Sequence, residues 1–320
     1  ANGSAQHVEL AGFPHHSIDT YLPKLVRAGY KVAVCDQLED PKLTKKIVRR
    51  GVTELVTPGV VYNEQLLPQK ENNFLASVCF EKDKGGVAFL DISTGTFRVA
   101  EGSMNYIDLL LTNMAPKEIL VERGYAKGFR ERFHTNAYIS TLDEWAFVYE
   151  TSYEKLKKHF GLDSLKGFGV EGMNLSLTAA GAILYYLENN QQAHCEYFPT
   201  RGLSHLCSIS RIDSDDFVWL DRFTVRNLEL IYPSTPDGVS LLGTIDRCAS
   251  PMGGRLLRQW VSMPSKHLNE IKSRHEVVED FTLHTEVMDT VREKISEMGD
   301  MERIISRAAG GRISPREVAQ

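Results

Sequence analysis

The chain has 320 residues, 42% hydrophobic and 25% charged, with a formal net charge of −5. This is the composition of an ordinary globular protein, and the length gives room for two or three cores and excludes a single small domain. The longest apolar run, LTAAGAILYYL from Leu177, is interrupted by Gly181 and is too short for a membrane span.

In chain order, residues 18 to 28 read as a helix with Leu22, Leu25 and Val26 inward and Gly29 as its stop, followed by a strand from Lys31 to Cys35. A second helix is expected near Pro41 to Arg50, then a strand from Glu54 to Thr57. From Asn73 the pattern changes to strands: Leu75 to Phe80, Val87 to Ile92 after an Asp83-Lys84-Gly85-Gly86 hairpin turn, and Phe97 to Ala100 after a turn at Thr94-Gly95. A helix over Asn105 to Met114, ended by Ala115-Pro116, returns to a strand at Glu118 to Glu122. Three strands, a helix and a fourth strand is the order of ribonuclease-H-like domains, an analogy of fold only. Thr151-x-x-Glu154 predicts a capping box, and Leu175 to Asn190 a further helix.

The polar stretch Asn189 to Gly202 is the expected boundary to a mostly helical third region. Helices are predicted over Asp216 to Ile231, over Gly254 to Val261 and from Leu268 onward. In the last, Met288, Val291, Ile295, Met298, Met301, Ile305 and Ala308 repeat at three and four, the stripe of a helix buried along one side. Its methionines are core filler, not a metal site. The expected architecture is multidomain, α/β plus α: a partial α/β unit at 1–66, a ribonuclease-H-like unit at 67–197 and a helical unit at 198–320.

Several motifs carry less chemistry than their letters promise. Gly167-x-Gly169-x-x-Gly172 copies a dinucleotide fingerprint but follows a helix and lacks the ribose-binding acid. Asp91, Glu122 and Glu144 raise a two-metal nuclease as an alternative, yet the first strand carries no carboxylate, and a turn role for Asp91 beside Ser93 and Gly95 is preferred. Adjacent His15 and His16 diverge on any regular element and cannot chelate together without a bend. Five widely spaced cysteines without a Cys-x-x-Cys pair speak against a zinc ribbon or disulfide framework. No metal or catalytic residue is assigned. No Gly-Lys dipeptide occurs, hence no Walker A loop.

Residues 1–66 carry 8 basic and 7 acidic side chains, 67–197 carry 13 and 17, and 198–320 carry 16 and 18. The acidic middle is therefore the part expected to meet protein, and the cluster Lys42, Lys45, Lys46, Arg49 and Arg50, read as one helical face, is the best phosphate-binding candidate.

The stretch from Thr244 to Trp260, TIDRCASPMGGRLLRQW, is the most specific in the chain. Asp246 is read as a helix cap, Pro251 as a first-turn residue, Gly253 and Gly254 as a place for close approach, and Leu256, Leu257 and Trp260 as an apolar face. Arg255 and Arg258 are read as a solvated or ion-paired face and not as phosphate ligands. The combination resembles the core motif of the MutS family of DNA mismatch-repair ATPases, with Ser250 where that family usually has Thr. Gly12-Phe13-Pro14-His15-His16, Tyr21-Leu22, the run KLVRAGYKVAVCDQLEDP from Lys24 and Thr57-Pro58-Gly59 are similar to its mismatch-binding domain, although Asp36 replaces the usual Glu. LDISTG from Leu90 and GFGVE from Gly167 are similar to its connector.

The resemblance implies the end of a mismatch-binding domain, a connector and the start of a lever core. It implies a mechanical link between DNA reading and an ATPase, and a connector surface for the partner MutL, here assigned to Glu188, Asn189, Asn190, Gln191 and Gln192. Mismatched double-stranded DNA, a homodimer, and ATP with Mg are expected of the whole protein, and no cofactor of this chain. A recombination-type relative is a further alternative, disfavoured because such relatives lack the first domain. Beginning at Ala1 without a Met and stopping after Ser314-Pro315 opens a helix, the chain is expected to be part of something larger, in the cytoplasm without secretion or membrane insertion.

Overall fold

The computed structural model describes residues 12–39, 48–61, 67–192, 203–310 and 313–318. Helix α1 (Ile18–Arg27) lies beside an antiparallel pair, β1 (Val32–Gln37) and β2 (Arg50–Val56). Leu22 and Val26 bury against Val56, Val61 and Leu67, but Leu25 stays exposed. Gly29 takes the left-handed φ of +86° that lets the chain leave α1. Of the helix expected at 41 to 50, most falls outside the described residues. Its end does not: Arg49 is non-helical and Arg50 opens β2 opposite Gln37.

The middle of the molecule is, among the described residues, a six-stranded sheet. β3 (Phe74–Glu81), β4 (Lys84–Asp91) and β5 (Thr96–Ser103) form an antiparallel meander. After α2 (Met104–Met114), β6 (Glu118–Glu122) returns parallel to β3. Helix α3 (Ala126–Arg132) then leads to β7 (Tyr138–Leu142), parallel to β6. Period-two alternation separates two cores. Phe74, Ala76 and Val78 face Ile107, Leu110 and Phe129 on the α2 and α3 side, while Leu75 faces Leu156, Leu177 and Ile183 on the other. That second layer is α4 (Tyr149–Phe160) packed on α5 (Asn174–Gln192).

Two local expectations fail here. The β3–β4 turn is Lys82-Asp83, with Lys82 at φ +53°, and Gly85 and Gly86 are strand residues. Gly86 is needed because a Cβ there would lie 2.2 Å from the backbone of Leu175 and Ser176 at the start of α5. The Thr151 capping box does not form, because α4 begins at Tyr149 after Val148.

The third region joins the sheet through β8 (Ser210–Arg211), parallel to β5, and through Met263, Phe217 and Trp219, which pack on the α2 side. The helix expected over 216 to 231 shrinks to α6 (Arg222–Asn227), capped by Asp221. There follow α7 (Leu241–Ile245), α8 (Pro251–Ser262), α9 (Leu268–Leu283), α10 (Thr285–Glu297), α11 (Met301–Ala309) and α12 (Pro315–Val318). The stripe read as a buried helix face is split between α10 and α11 and is open: Met298, Met301 and Ile305 are 44%, 45% and 59% exposed. Among the described residues, no helix is long and apolar enough to cross a membrane.

Candidate functional site

The apolar residues expected to bury α8 do not do so. Leu256 and Trp260 are exposed, with the Arg274 guanidinium stacked 3.7 Å over the indole, and the buried positions of α8 are Gly254, Arg255 and Ser262. Ser250, not Asp246, caps the helix by accepting from the Gly253 amide, and Pro251 follows as the first helical residue. Asp246 instead accepts from the Cys248 amide and from Lys70 Nζ at 2.9 Å.

What α8 packs on is the linker from Leu67 to Asn73, which joins the first region to β3, at Gln69, Lys70 and Glu71. Gly254 makes room for it: a Cβ there would lie 2.6–2.8 Å from the Lys70 methylenes. Arg255, 4% exposed, spends all five N–H donors. One goes to the Gln69 carbonyl at 2.8 Å; the others form a bidentate pair with Asp300 at 2.7 Å each and two bonds to Glu302. Burial opposes its charge, but the hydrogen bonds to Asp300 and Glu302 more than offset this and hold its pKa above the ordinary arginine value. Burial likewise raises the Asp300 carboxyl, and Arg255 reverses it to a net depression.

Arg303 of α11, 2% exposed, donates to the carbonyls of Pro68 and Glu71 at 3.0 and 2.9 Å. Arg258 pairs with the Glu71 carboxylate, which Lys117 also approaches at 3.6 Å. The middle region holds the far end of the linker. Asp91, fully buried, accepts from Asn72 Nδ2 at 2.8 Å, the Asn73 amide at 3.0 Å, and the Ser93 amide and hydroxyl at 2.9 and 2.7 Å. Each residue from Pro68 to Asn73 is thus bonded to a side chain from the second or third region.

These contacts show how Asp91, Arg255 and Arg258 are used. Asp91 has two donors on each oxygen, the turn role, and among the described residues no group of three or more His, Cys, Asp or Glu is placed to hold a metal. Arg255 and Arg258 are ion-paired, as read, Arg255 to Asp300 and Glu302 and Arg258 to Glu71, and both also hold a linker that no helical periodicity reveals.

Residues 1–65 match MutS domain I, 73–199 MutS domain II, and 223–320 MutS domain III. The chain belongs to the MutS family. It is 53% identical to the DNA mismatch repair protein MutS of Parabacteroides distasonis and 54% to that of Phocaeicola vulgatus, each over 100% of this chain and 36% of the relative. The Flavobacterium psychrophilum protein of the same name is 52% identical over 99% of this chain and 36% of its own length. The chain therefore spans about a third of the MutS relatives it matches, and the gripped linker lies between the first two matched domains.

Of the residues read as DNA ligands, Lys42, Lys45 and Lys46 lie outside the described residues. Arg49 and Arg50 are exposed, but on a loop and a strand rather than a shared helical face. The expected partner stretch is the last turn of α5. Glu188 there is tied to Lys155 and Asn189 is exposed; the side chains of Asn190, Gln191 and Gln192 lie outside the described residues.

Proposed function

We propose that this chain is the transmission part of a protein that recognises mismatched double-stranded DNA, relaying between a DNA-reading end and an ATPase. The observation that carries the reading is the linker grip: Arg255, Arg258 and Arg303 of the MutS domain III match hold the segment that leaves the domain I match. A shift of the first region that displaces Pro68 to Glu71 must break or re-form buried charged hydrogen bonds in the third, which is the physical requirement for coupling two sites.

In this reading residues 1–66 end the mismatch-binding domain, 67–197 form a connector and 198–320 begin the lever core. The antiparallel β3-β4-β5 meander with parallel β6 and β7 supports a ribonuclease-H-like connector. The domain I match over 1–65 favours mismatch reading over a recombination-type relative. DNA backbone contact is assigned to Lys42, Lys45, Lys46, Arg49 and Arg50 as local charge, without a common helix, and MutL contact to Glu188 through Gln192. A cytoplasmic homodimer using ATP and Mg is the parent expected. This chain has no Gly-Lys dipeptide for a Walker A loop, so it is assigned no hydrolytic step.

The test is Arg255→Met in the full-length protein. Mismatch affinity should stay within about threefold of wild type, while the effect of mismatched DNA on nucleotide turnover should fall by about tenfold, in the range of allosteric couplings. Undiminished stimulation would overturn the reading.

A further inference from the structure

A second polar node joins the first and middle regions away from the linker. Glu118, at the start of β6, is fully buried, and its carboxylate is the meeting point of both regions. From the middle region it accepts from the Ser140 hydroxyl and from Tyr186 OH at 2.7 Å. From the first region it accepts from Thr57 Oγ1 at 2.5 Å and the Gly59 amide at 3.0 Å, with Lys31 Nζ at 3.5 Å. Lys31 also donates to Tyr186 OH at 3.0 Å and sits over the Tyr138 and Tyr186 rings.

The donors of the first region are presented by one tight turn. Thr57 and Val60 exchange backbone hydrogen bonds at 3.2 and 3.1 Å, which sets the Thr57 hydroxyl and the Gly59 amide side by side. Gly59 is required by contact rather than by conformation: a Cβ there would lie 2.7 Å from Glu118 Cβ and 2.9 Å from Leu75 Cδ1. Asn73 adds a bond to the Pro58 carbonyl at 3.0 Å. A carboxylate has about four lone-pair sites, and here they are filled from two regions at once. Rotating the first region on the sheet would strand a buried charge.

We propose that Glu118 is a positioning residue: with the Thr57-Pro58-Gly59 turn it forms the pin that fixes the angle of the first region on the middle one. The purpose of the pin rests on the mismatch-reading function above. Fixing that angle presents the DNA-reading surface in one orientation, so loosening it lowers discrimination between mismatched and matched duplex.

The experiment uses the full-length protein with Thr57→Val, Thr57→Ser and Glu118→Gln. Val keeps the shape of Thr but removes both the donor to Glu118 and the acceptor of the Val60 amide, Ser keeps both, and Gln, which leaves the turn's own bond intact, keeps the shape of Glu but turns one acceptor into a donor. Hydrogen exchange is read by mass spectrometry on the peptide containing Gly59. The T57V and E118Q variants are expected to exchange about tenfold faster there, the loss of a hydrogen bond to a charged acceptor, with β3 to β5 within about twofold and T57S like wild type. The ratio of mismatched to matched duplex affinity should fall in T57V and return in T57S. Unchanged exchange at Gly59 in T57V and E118Q, or T57S as fast as T57V, would overturn the pin. A changed exchange with an unchanged affinity ratio would overturn its role in discrimination. A wild-type protein without mismatch preference would overturn the functional reading, and the exchange result would still judge the pin.

Discussion

The middle and third regions are built to opposite plans. The middle region closes on itself: both faces of its sheet are covered, and β3, β4 and α5 bury side chains almost completely. Helices α9 and α10 bury none, and α11 buries only Arg303 and Ser306. The third region is therefore held near its base, by β8, Met263 and the arginines on the linker, while its far helices present open apolar stripes. A rigid sheet beside a helical arm anchored through charged hydrogen bonds is an arrangement in which small shifts at the anchor move the arm. Apolar burial gives stability in the first case, and bond geometry sets position in the second.

Substitutions at several places separate the two plans. The largest effect is expected from Gly86→Ala, whose Cβ would meet unyielding backbone at 2.2 Å. Overpacking of that kind costs about 3 kcal/mol, read as a lowered urea midpoint; a loss below about 1 kcal/mol would mean that the α5 contact is loose. Next is Arg255→Met, which removes the bidentate donor from Asp300, leaving it only Arg303 among the described residues, and the donor from the Gln69 carbonyl. Breaking a buried pair costs about 3–5 kcal/mol, discounted to about 2–3 because Glu302 is half-exposed and water can reach Asp300.

The same anchor gives a pH signature. The Asp300 carboxyl is depressed in the folded chain, so its stabilisation is fully present above the ordinary unfolded carboxylate value and is lost as pH falls through the lower folded one. The stability gap between wild type and Asp300→Asn should be full at neutral pH and close on acidification below about 3.9; a gap that widens there would have the wrong sign. The smallest effects belong to the open face. Leu283→Ala and Ile305→Ala, at positions 72% and 59% exposed in this chain, should change stability by less than about 0.5 kcal/mol. A loss above about 2 kcal/mol in either would show a face already covered.

Sequence made the sheet legible because its signal is local. The apolar run from Leu75 to Phe80, the turn at Gly95 and the stop at Ala115-Pro116 are all set by neighbours a few residues away. Local signals also misled: Thr151 and Glu154 have the letters of a cap, but α4 begins at Tyr149, and a competing contact from Lys70 holds Asp246 while Ser250 caps α8. The stripe through Met298 and Ile305 gave the periodicity of a packed helix without saying whether this chain supplies the cover. The linker grip was invisible for the plainest reason: the partners of Arg255 lie 45, 47 and 186 residues away. The one usable hint was the pairing of Gly254 with an adjacent Arg255, a gap beside a guanidinium.

The central claim is that the third region senses the first through the linker, and the most direct test is a double-mutant cycle across it. Glu71→Gln, Arg258→Met and the double variant are compared in the full-length protein for the effect of mismatched DNA on nucleotide turnover. Coupling through the pair predicts that each single change weakens the effect and that the double variant is no worse than either, a non-additivity of about 1 kcal/mol or more. Additive effects, or single variants that respond to mismatched DNA as wild type does, would contradict it.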